Sequence, residues 1–266
     1  MQWIKNWCRK RILRHATLDE RLWHSVLARY PFTRVLSAAE RERLRESAIL
    51  FLDEKSITGA GGLVVRDEIR MCVAAQACML LLNLDLEFFR GWVEVIVYPD
   101  EFLVDYEYVD EDGIAHRVRA PTSGESWLEG PVILSWADAE RGGDGYNVVI
   151  HEFAHKLDML NGNANGFPPL HAEMNRARWS DTFGAAYEDF CRRIERREET
   201  VIDPYAAENP AEFFAVLSEA FFETPDAVQG AYPAVYGELA SFYRQDPALR
   251  LSRALQSQET AIRPHP

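Results

Sequence analysis

Residues 147–158 read Asn-Val-Val-Ile-His-Glu-Phe-Ala-His-Lys-Leu-Asp, and this run constrains the fold more than any other stretch. Val148, Val149, Ile150, Phe153, Ala154, Leu157 and Leu160 make a broad apolar face at helical spacing. Asp144, Gly145 and Asn147 offer turn and cap chemistry before it, and Gly162 a stop after it. The helix is therefore expected to be buried, yet it carries His151, Glu152 and His155. A four-residue step turns about 400°, so both imidazoles leave the same face one turn apart. That spacing suits two ligand positions on a tetrahedral Zn²⁺, each at roughly 2.0–2.1 Å. Glu152 lies about 60° round the helix from His155, beside such a metal rather than on it. A carboxylate there can take a proton from a bound water and pass it to a leaving amine. Polar groups on so apolar a helix need partners, and a metal provides them. This is the His-Glu-x-x-His pattern of zinc peptidases.

Two histidines do not complete a catalytic zinc site, which takes a third protein ligand and keeps one position for water. The metzincin completion requires Gly at 158 and His at 161; Asp158 and Asn161 stand there, which excludes that class. Asp158 is two turns beyond His151, roughly 10 Å along the axis, too far to close the same site. It suits a hydrogen bond to a ligand histidine, or else a place on the surface. The remaining source is a carboxylate from a second helix. Asn209-Pro210 is a cap followed by an N1 proline, and the helix it starts carries Glu212 in its first turn and Glu219 on nearly the same face. Phe213, Phe214, Val216 and Leu217 bury that helix, so its acidic face calls for a cation. Glu212 also has a plainer reading, because Glu at N3 stabilises any helix start. Spacing alone leaves Glu212 and Glu219 equal.

The rest of the chain reads as the frame for these two helices. Its 266 residues, 47% apolar, suffice for a substantial core. Asp19–Arg29, a helix capped at Ser37 by a Ser-x-x-Glu box, and Asp67–Leu82 form a helical N-terminal layer without evident catalytic residues; Gly59–Gly62 reads as a loop. Trp92–Tyr98 then reads as a strand, and Phe102–Val109 with Ile114–Val118 as a hairpin about Asp110-Glu-Asp-Gly113. Val132–Trp136 is a further strand, which by its position is either the edge along which an extended peptide lies or an interior strand without substrate contact. Helices are expected at Ser180–Glu198, from Pro210 through Phe222 and at Tyr232–Tyr243, with a polar tail after Pro247. The expected division is a helical region over residues 1–85 and a catalytic domain over 86–266, packed as one unit.

Charge and cysteines narrow the setting. A net charge of −13 argues against a directly bound nucleic acid. Cys8, Cys72, Cys78 and Cys191 follow no metal-type pairing and no disulfide framework, so a cytoplasmic location is expected. Met1–His15 carries Lys5, Arg9, Lys10, Arg11 and Arg14 among Trp3, Ile4, Trp7, Ile12 and Leu13, without the apolar region of a signal peptide. It reads as a packed helix with a solvated basic side; a membrane surface or an acidic partner is the other use of such a side. No stretch approaches the ~20 apolar residues of a membrane span.

Taken together, Asn147–Asp158, the run Asp158, Gly162, Gly166, Pro168, Leu170, and Asn209-Pro-Ala-Glu-Phe-Phe-Ala215 resemble the MtfA (Mlc titration factor A) family. Gly124-Glu-Ser-Trp127 and Val132–Trp136 fit the same pattern. The resemblance is strongest from about residue 90 to 225 and loose over the first sixty residues. It implies an α+β, zincin-like metallopeptidase of the gluzincin type, with a small mixed sheet, an active-site helix and a helical N-terminal layer. It implies a bacterial cytoplasmic enzyme with one Zn²⁺ per chain and aminopeptidase-like activity on small peptides. It further implies binding of the glucose repressor Mlc, which relieves repression of the glucose phosphotransferase system. A non-catalytic protein that sequesters a repressor is the rival reading. The catalytic part of anthrax lethal factor is similar and shares Tyr-x₆-Glu-Phe-Phe-Ala, the relation in which Tyr205 and Glu212 stand. The resemblance thus makes Glu212 the third ligand beside His151 and His155, Glu152 the general base, and Tyr205 the hydroxyl that stabilises the oxyanion.

Overall fold

The computed structural model describes residues 2–109, 115–141 and 145–262. Twelve α-helices and six strands follow in order among them: α1 (Gln2–His15), α2 (Glu20–Leu27), α3 (Pro31–Arg34), α4 (Ala38–Glu54), β1 (Ser56–Gly59), α5 (Asp67–Leu80), β2 (Glu94–Tyr98), β3 (Phe102–Val109), β4 (Ala115–Thr122), β5 (Gly124–Ser126), β6 (Val132–Ser135), α6 (Trp136–Ala139), α7 (Val148–Asp158), α8 (Arg176–Glu195), α9 (Pro210–Glu223), α10 (Pro225–Ala231), α11 (Pro233–Tyr243) and α12 (Pro247–Ile262). The architecture is α+β, mostly helical, with a small mixed sheet.

That sheet has the order β1-β2-β6-β5. The first three strands are parallel, Ile57 opposite Val95 and Val97 opposite Leu134, and β5 runs antiparallel to β6. Val132–Ser135 is thus an interior strand, the second of its two readings, and the substrate-edge reading is corrected. The free edge beside it is β5, three residues that sequence reading did not assign to a strand. β1 likewise has no strand signal in the sequence, and its last residue, Gly59, falls in the Gly59–Gly62 run that reads as a loop. Its Ser-Ile-Thr-Gly sequence buries only Ile57, too few positions for a period of two to register. β3 and β4 pair as a separate hairpin from Phe102↔Thr122 to Val109↔Ala115. The expected turn at Asp110–Gly113 lies outside the described residues, as does the cap candidate Asp144.

Helix α7, which carries His151, Glu152 and His155, lies in the middle of the core, every one of its residues buried. Phe153 packs against Phe51 of α4 and against Phe89 and Trp92, with ring centroids 5.0–5.7 Å apart. α5 is buried from Met71 to Leu80 and fills the space between α4 and α7. α4 begins with the expected capping box, Ser37 and Glu40 bonding reciprocally. Glu40 also takes Arg250 of α12 at 2.8 Å, which ties the last helix to the fourth. The segment after Pro247 is therefore a helix and not a polar tail. Its signal was present in Asp246-Pro247: the Asp246 carboxylate accepts from Leu249 N, and proline suits N1. All four cysteines are free, and Cys72 and Cys78 are buried as small apolar side chains.

Candidate metal centre

Asn147 starts α7: its side-chain oxygen accepts from Ile150 N at 2.9 Å. One turn in, the chain presents His151, and a turn later His155, 8% and 7% exposed. α9 crosses against α7, and its own cap, Asn209, accepts from Ala211 N and Glu212 N. Glu212 is thereby fixed in the first turn, with its carboxylate directed at the two imidazoles. His151 Nε2 lies 3.1 Å from His155 Nε2 and 3.0 Å from Glu212 Oε2, and His155 Nε2 lies 3.4 Å from that oxygen.

These three separations decide whether a metal fits. Ligands at 2.0–2.1 Å around a tetrahedral ion stand about 3.3 Å apart along each edge. The three atoms therefore form one face of such a tetrahedron, with the fourth corner left to the cleft. Their chemistry agrees. His151 Nδ1 meets Glu219 Oε1 at 2.5 Å, which places the proton on Nδ1 and leaves the Nε2 lone pair pointing inward. Glu212 Oε2 is buried and makes no hydrogen bond of its own. Three electron-rich atoms this close repel unless a cation lies between them. The field of the site says the same. Burial opposes a charge on His151, but Glu219 and Glu212 outweigh it and hold its basicity well above the usual range. Burial likewise opposes ionisation of Glu212, yet the two imidazoles hold its carboxyl well below the usual range. The His151, His155 and Glu212 set fits a divalent metal.

Glu219 was the equal alternative on spacing, and its place is now plain. It does not reach the three-atom face; it supports it from behind. Its second oxygen accepts from Asn147 N at 2.7 Å. Asn147 Nδ2 in turn donates to Gln76 Oε1 and to Glu223 Oε1, each at 2.8 Å. Gln76 Nε2 donates to Tyr30 Oη and Ala139 O. A buried chain of hydrogen bonds thus runs from the N-terminal helices to His151. Nothing in the sequence marked Gln76 beyond a polar residue on an apolar helix.

Glu152, 5% exposed, keeps Oε2 without a partner and faces β5. The strand comes close because residue 124 has no side chain. A Cβ there would stand 2.4 Å from Glu152 Oε1 and 2.7 Å from both its Cγ and Val148 Cγ2. Ser126 Oγ donates to the Glu152 carbonyl at 2.8 Å, and Lys156 Nζ donates to Gly130 O at 2.9 Å and to Trp127 O. The edge strand and its turn are therefore bolted to the helix that carries the histidines. Burial among these groups brings the Lys156 ammonium down to about 8.

Asp158 bonds neither histidine and is not on the surface, which corrects both expectations for it. It is wholly buried, and its Oδ2 accepts from Asn165 N and Gly166 N, both at 2.7 Å. Gly166 presses on α9: a Cβ added to it would lie 2.4 Å from Pro210 O. Asp158 therefore sets the loop against which the Glu212 helix begins.

Tyr205 sits in a single 3-10 turn, Pro204–Ala207, whose cap Asp203 accepts from Tyr205 N at 2.9 Å. Its ring is 54% exposed and 6.1 Å from the His151 ring, at the mouth of the cleft. The cleft encloses about 1080 Å³. Beyond the residues already described, Glu101, Glu125, Asp203 and Glu208 line it, and no lysine or arginine does among the described residues. Burial pushes the Glu125 carboxyl up, and the charge of Glu152 adds to the effect.

Comparison with known proteins gives the same direction. A family model described as glucose-regulated metallo-peptidase M90 matches residues 4–244. Mlc titration factor A of Yersinia pestis is 38% identical over 236 residues, covering 87% of each chain, and the Yersinia pseudotuberculosis protein of that name matches equally. An uncharacterised protein of Synechocystis sp. is 38% identical over 233 residues, 85% of each chain.

Proposed function

The chain belongs to the glucose-regulated metallo-peptidase M90 family, and from that premise we propose that it is a zinc-dependent peptidase of the gluzincin type with aminopeptidase-like activity. One observation carries the reading: three donor atoms at the edge spacing of a tetrahedron, beside a buried carboxylate with a free oxygen. In this reading His151, His155 and Glu212 hold one Zn²⁺ per chain. When bound, the ion supplies Lewis acidity, lowering the pKa of a water and polarising the scissile carbonyl.

The chain's own residues do the rest. Glu219 holds the proton on His151 Nδ1, which would leave Nε2 free to take the metal. Glu152 accepts the proton of the attacking water on its free oxygen and delivers it to the departing amine. Tyr205 donates its hydroxyl to the oxyanion of the tetrahedral intermediate from the open side of the cleft. The free edge of β5 offers backbone groups to an extended peptide. The ring of carboxylates, with no lysine or arginine among the described residues, favours a substrate that brings a positive charge, such as a free α-ammonium group. Residues 86–266 are the zincin-like catalytic domain, and the first 85 residues pack on it as one unit.

The name of the Yersinia relatives supports a second role, binding of an Mlc-like repressor; the resemblance noted in the sequence would set it in a bacterial cytoplasm and link it to relief of repression of the glucose phosphotransferase system. A purely sequestering protein would bind the repressor with no catalysis.

The deciding experiment measures metal content and hydrolysis of aminoacyl chromogenic amides for the wild type and Glu152→Gln. Bound zinc in both, with turnover in the wild type alone, is expected. Equal rates would overturn the peptidase mechanism, and repressor binding without turnover in either would leave the sequestering role.

A further inference from the structure

We propose that the outer face of α1 is a docking surface for an anionic phospholipid bilayer, on which the helix lies flat. At 100° per residue, Lys10, Trp3, Arg14, Trp7 and Arg11 fall within an arc of about 100°. Trp3 is 78% and Trp7 48% exposed, and Lys10, Arg11 and Arg14 are exposed between them. The opposite side of the helix is the packed one. Ile12 lines a groove with Ile49 and Leu52 of α4, whose outer rim is formed by Trp7 and Arg11, and Arg9 pairs with Asp85 at 2.8 Å. Trp3 is thus placed outward and Trp7 half exposed at the rim of the groove, while the smaller Ile12 faces the protein.

The composition of the outer face specifies the occupant. Indoles prefer the zone between head groups and acyl chains, where the ring is dehydrated and its N–H stays wet. Three cations at the same level match anionic head groups, their alkyl stems lying along the apolar zone. An acidic protein would answer the cations but would need two apolar seats for the indoles, one helical turn apart. α1 has no acidic residue, and its five cations against a net −13 leave −18 on the remainder of the chain. An anionic surface therefore attracts this helix and repels the body, which makes α1 the point of attachment. No described helix is long and apolar enough to cross a membrane, so the contact is one of lying on the surface.

The test is co-sedimentation of the full chain with vesicles of phosphatidylcholine alone or mixed with phosphatidylglycerol, at low and high salt. Binding to the anionic vesicles alone, weakened by salt, is expected. A basic residue near such a surface strengthens partitioning roughly fivefold, so Lys10→Glu with Arg11→Glu and Arg14→Glu should cost at least about 100-fold. Trp3→Ala with Trp7→Ala should weaken binding and abolish the blue shift of tryptophan emission that vesicles cause. Trp7 borders the groove, so melting is measured beside binding, and Trp3→Ala alone, which alters a solvated side chain and should melt as the wild type does, should still weaken binding. No binding to anionic vesicles, or equal binding by the charge-reversed variant, would overturn the proposal. So would capture by soluble polyglutamate as tight as by vesicles, which would assign the face to an acidic partner.

Discussion

The backbone amide of Asn147 donates to Glu219 at 2.7 Å, and the other oxygen of that carboxylate holds His151 Nδ1. The residue that caps the metal-site helix and the residue that orients its first histidine are therefore one unit, joined across 72 positions of sequence. Its strength comes from burial. Glu219 is 2% exposed, in surroundings where an unmet hydrogen bond costs far more than in water.

Glu219→Gln keeps the shape of the side chain and removes the charge that fixes the imidazole. Zinc affinity, read by competition with a chromogenic chelator, should fall about 10–100-fold. Unchanged affinity would separate Glu219 from the metal.

Gln76→Leu reaches the same centre from the N-terminal helices. It leaves Asn147 Nδ2 with Glu223 as its one remaining hydrogen-bond partner among those described above and removes the Gln76 donor from Tyr30 Oη, while Ala139 O keeps the Tyr30 hydroxyl. The expected cost is about 1–3 kcal/mol of stability in urea unfolding, with a smaller loss of zinc affinity than in Glu219→Gln.

Tyr205→Phe tests the exposed hydroxyl. A donor used only in the transition state lowers kcat, here by about 10²–10³-fold, and leaves KM near its wild-type value. A rise in KM at constant kcat would make Tyr205 a substrate-binding residue instead.

Gly166→Ala strains a residue at φ +77° and sets a Cβ 2.4 Å from Pro210 O. The left-handed backbone costs a side chain about 1–2 kcal/mol before the clash is counted. Because Pro210 begins the helix that carries Glu212, the variant should lose both stability and zinc affinity. Gly124→Ala differs in kind: it crowds Glu152 and should lower turnover while zinc stays bound.

Glu40 supplies a pH dependence away from the cleft. Burial opposes its ionisation, but bonds from Ser37 and Arg250 outweigh this and hold its carboxyl below the usual value. A depressed folded-state pKa means stability that is fully present above the unfolded value, near pH 4.3, and lost as pH falls through the folded one. Glu40→Gln should therefore lower stability by about 0.5–2 kcal/mol at neutral pH and flatten the acid limb of the unfolding midpoint.

The pair His151 and His155, with Glu152 between them, could be read from sequence because helical spacing is local geometry. Neighbours on a helix are four residues apart whatever the rest of the chain does. The same holds for the caps at Ser37, Asn147 and Asn209, whose bonds close within three residues. The choice between Glu212 and Glu219 was not local. Both face α7 from one helix, and only the position of α9 along α7 puts one at the imidazole Nε2 atoms and the other at Nδ1. Asp158 was misjudged for the same reason, since its partners are amides of a returning loop. β5 escaped notice because three residues carry no period, and its role as the free edge is a property of sheet order. Gln76 is the plainest case: a polar residue on a buried helix signals that some partner exists, but the partner is chosen by packing between segments 71 residues apart. The sequence by itself determined which side chains can bind a metal and move a proton, and tertiary structure decided which of two acidic residues joins the Nε2 atoms of the two imidazoles and which stands behind His151.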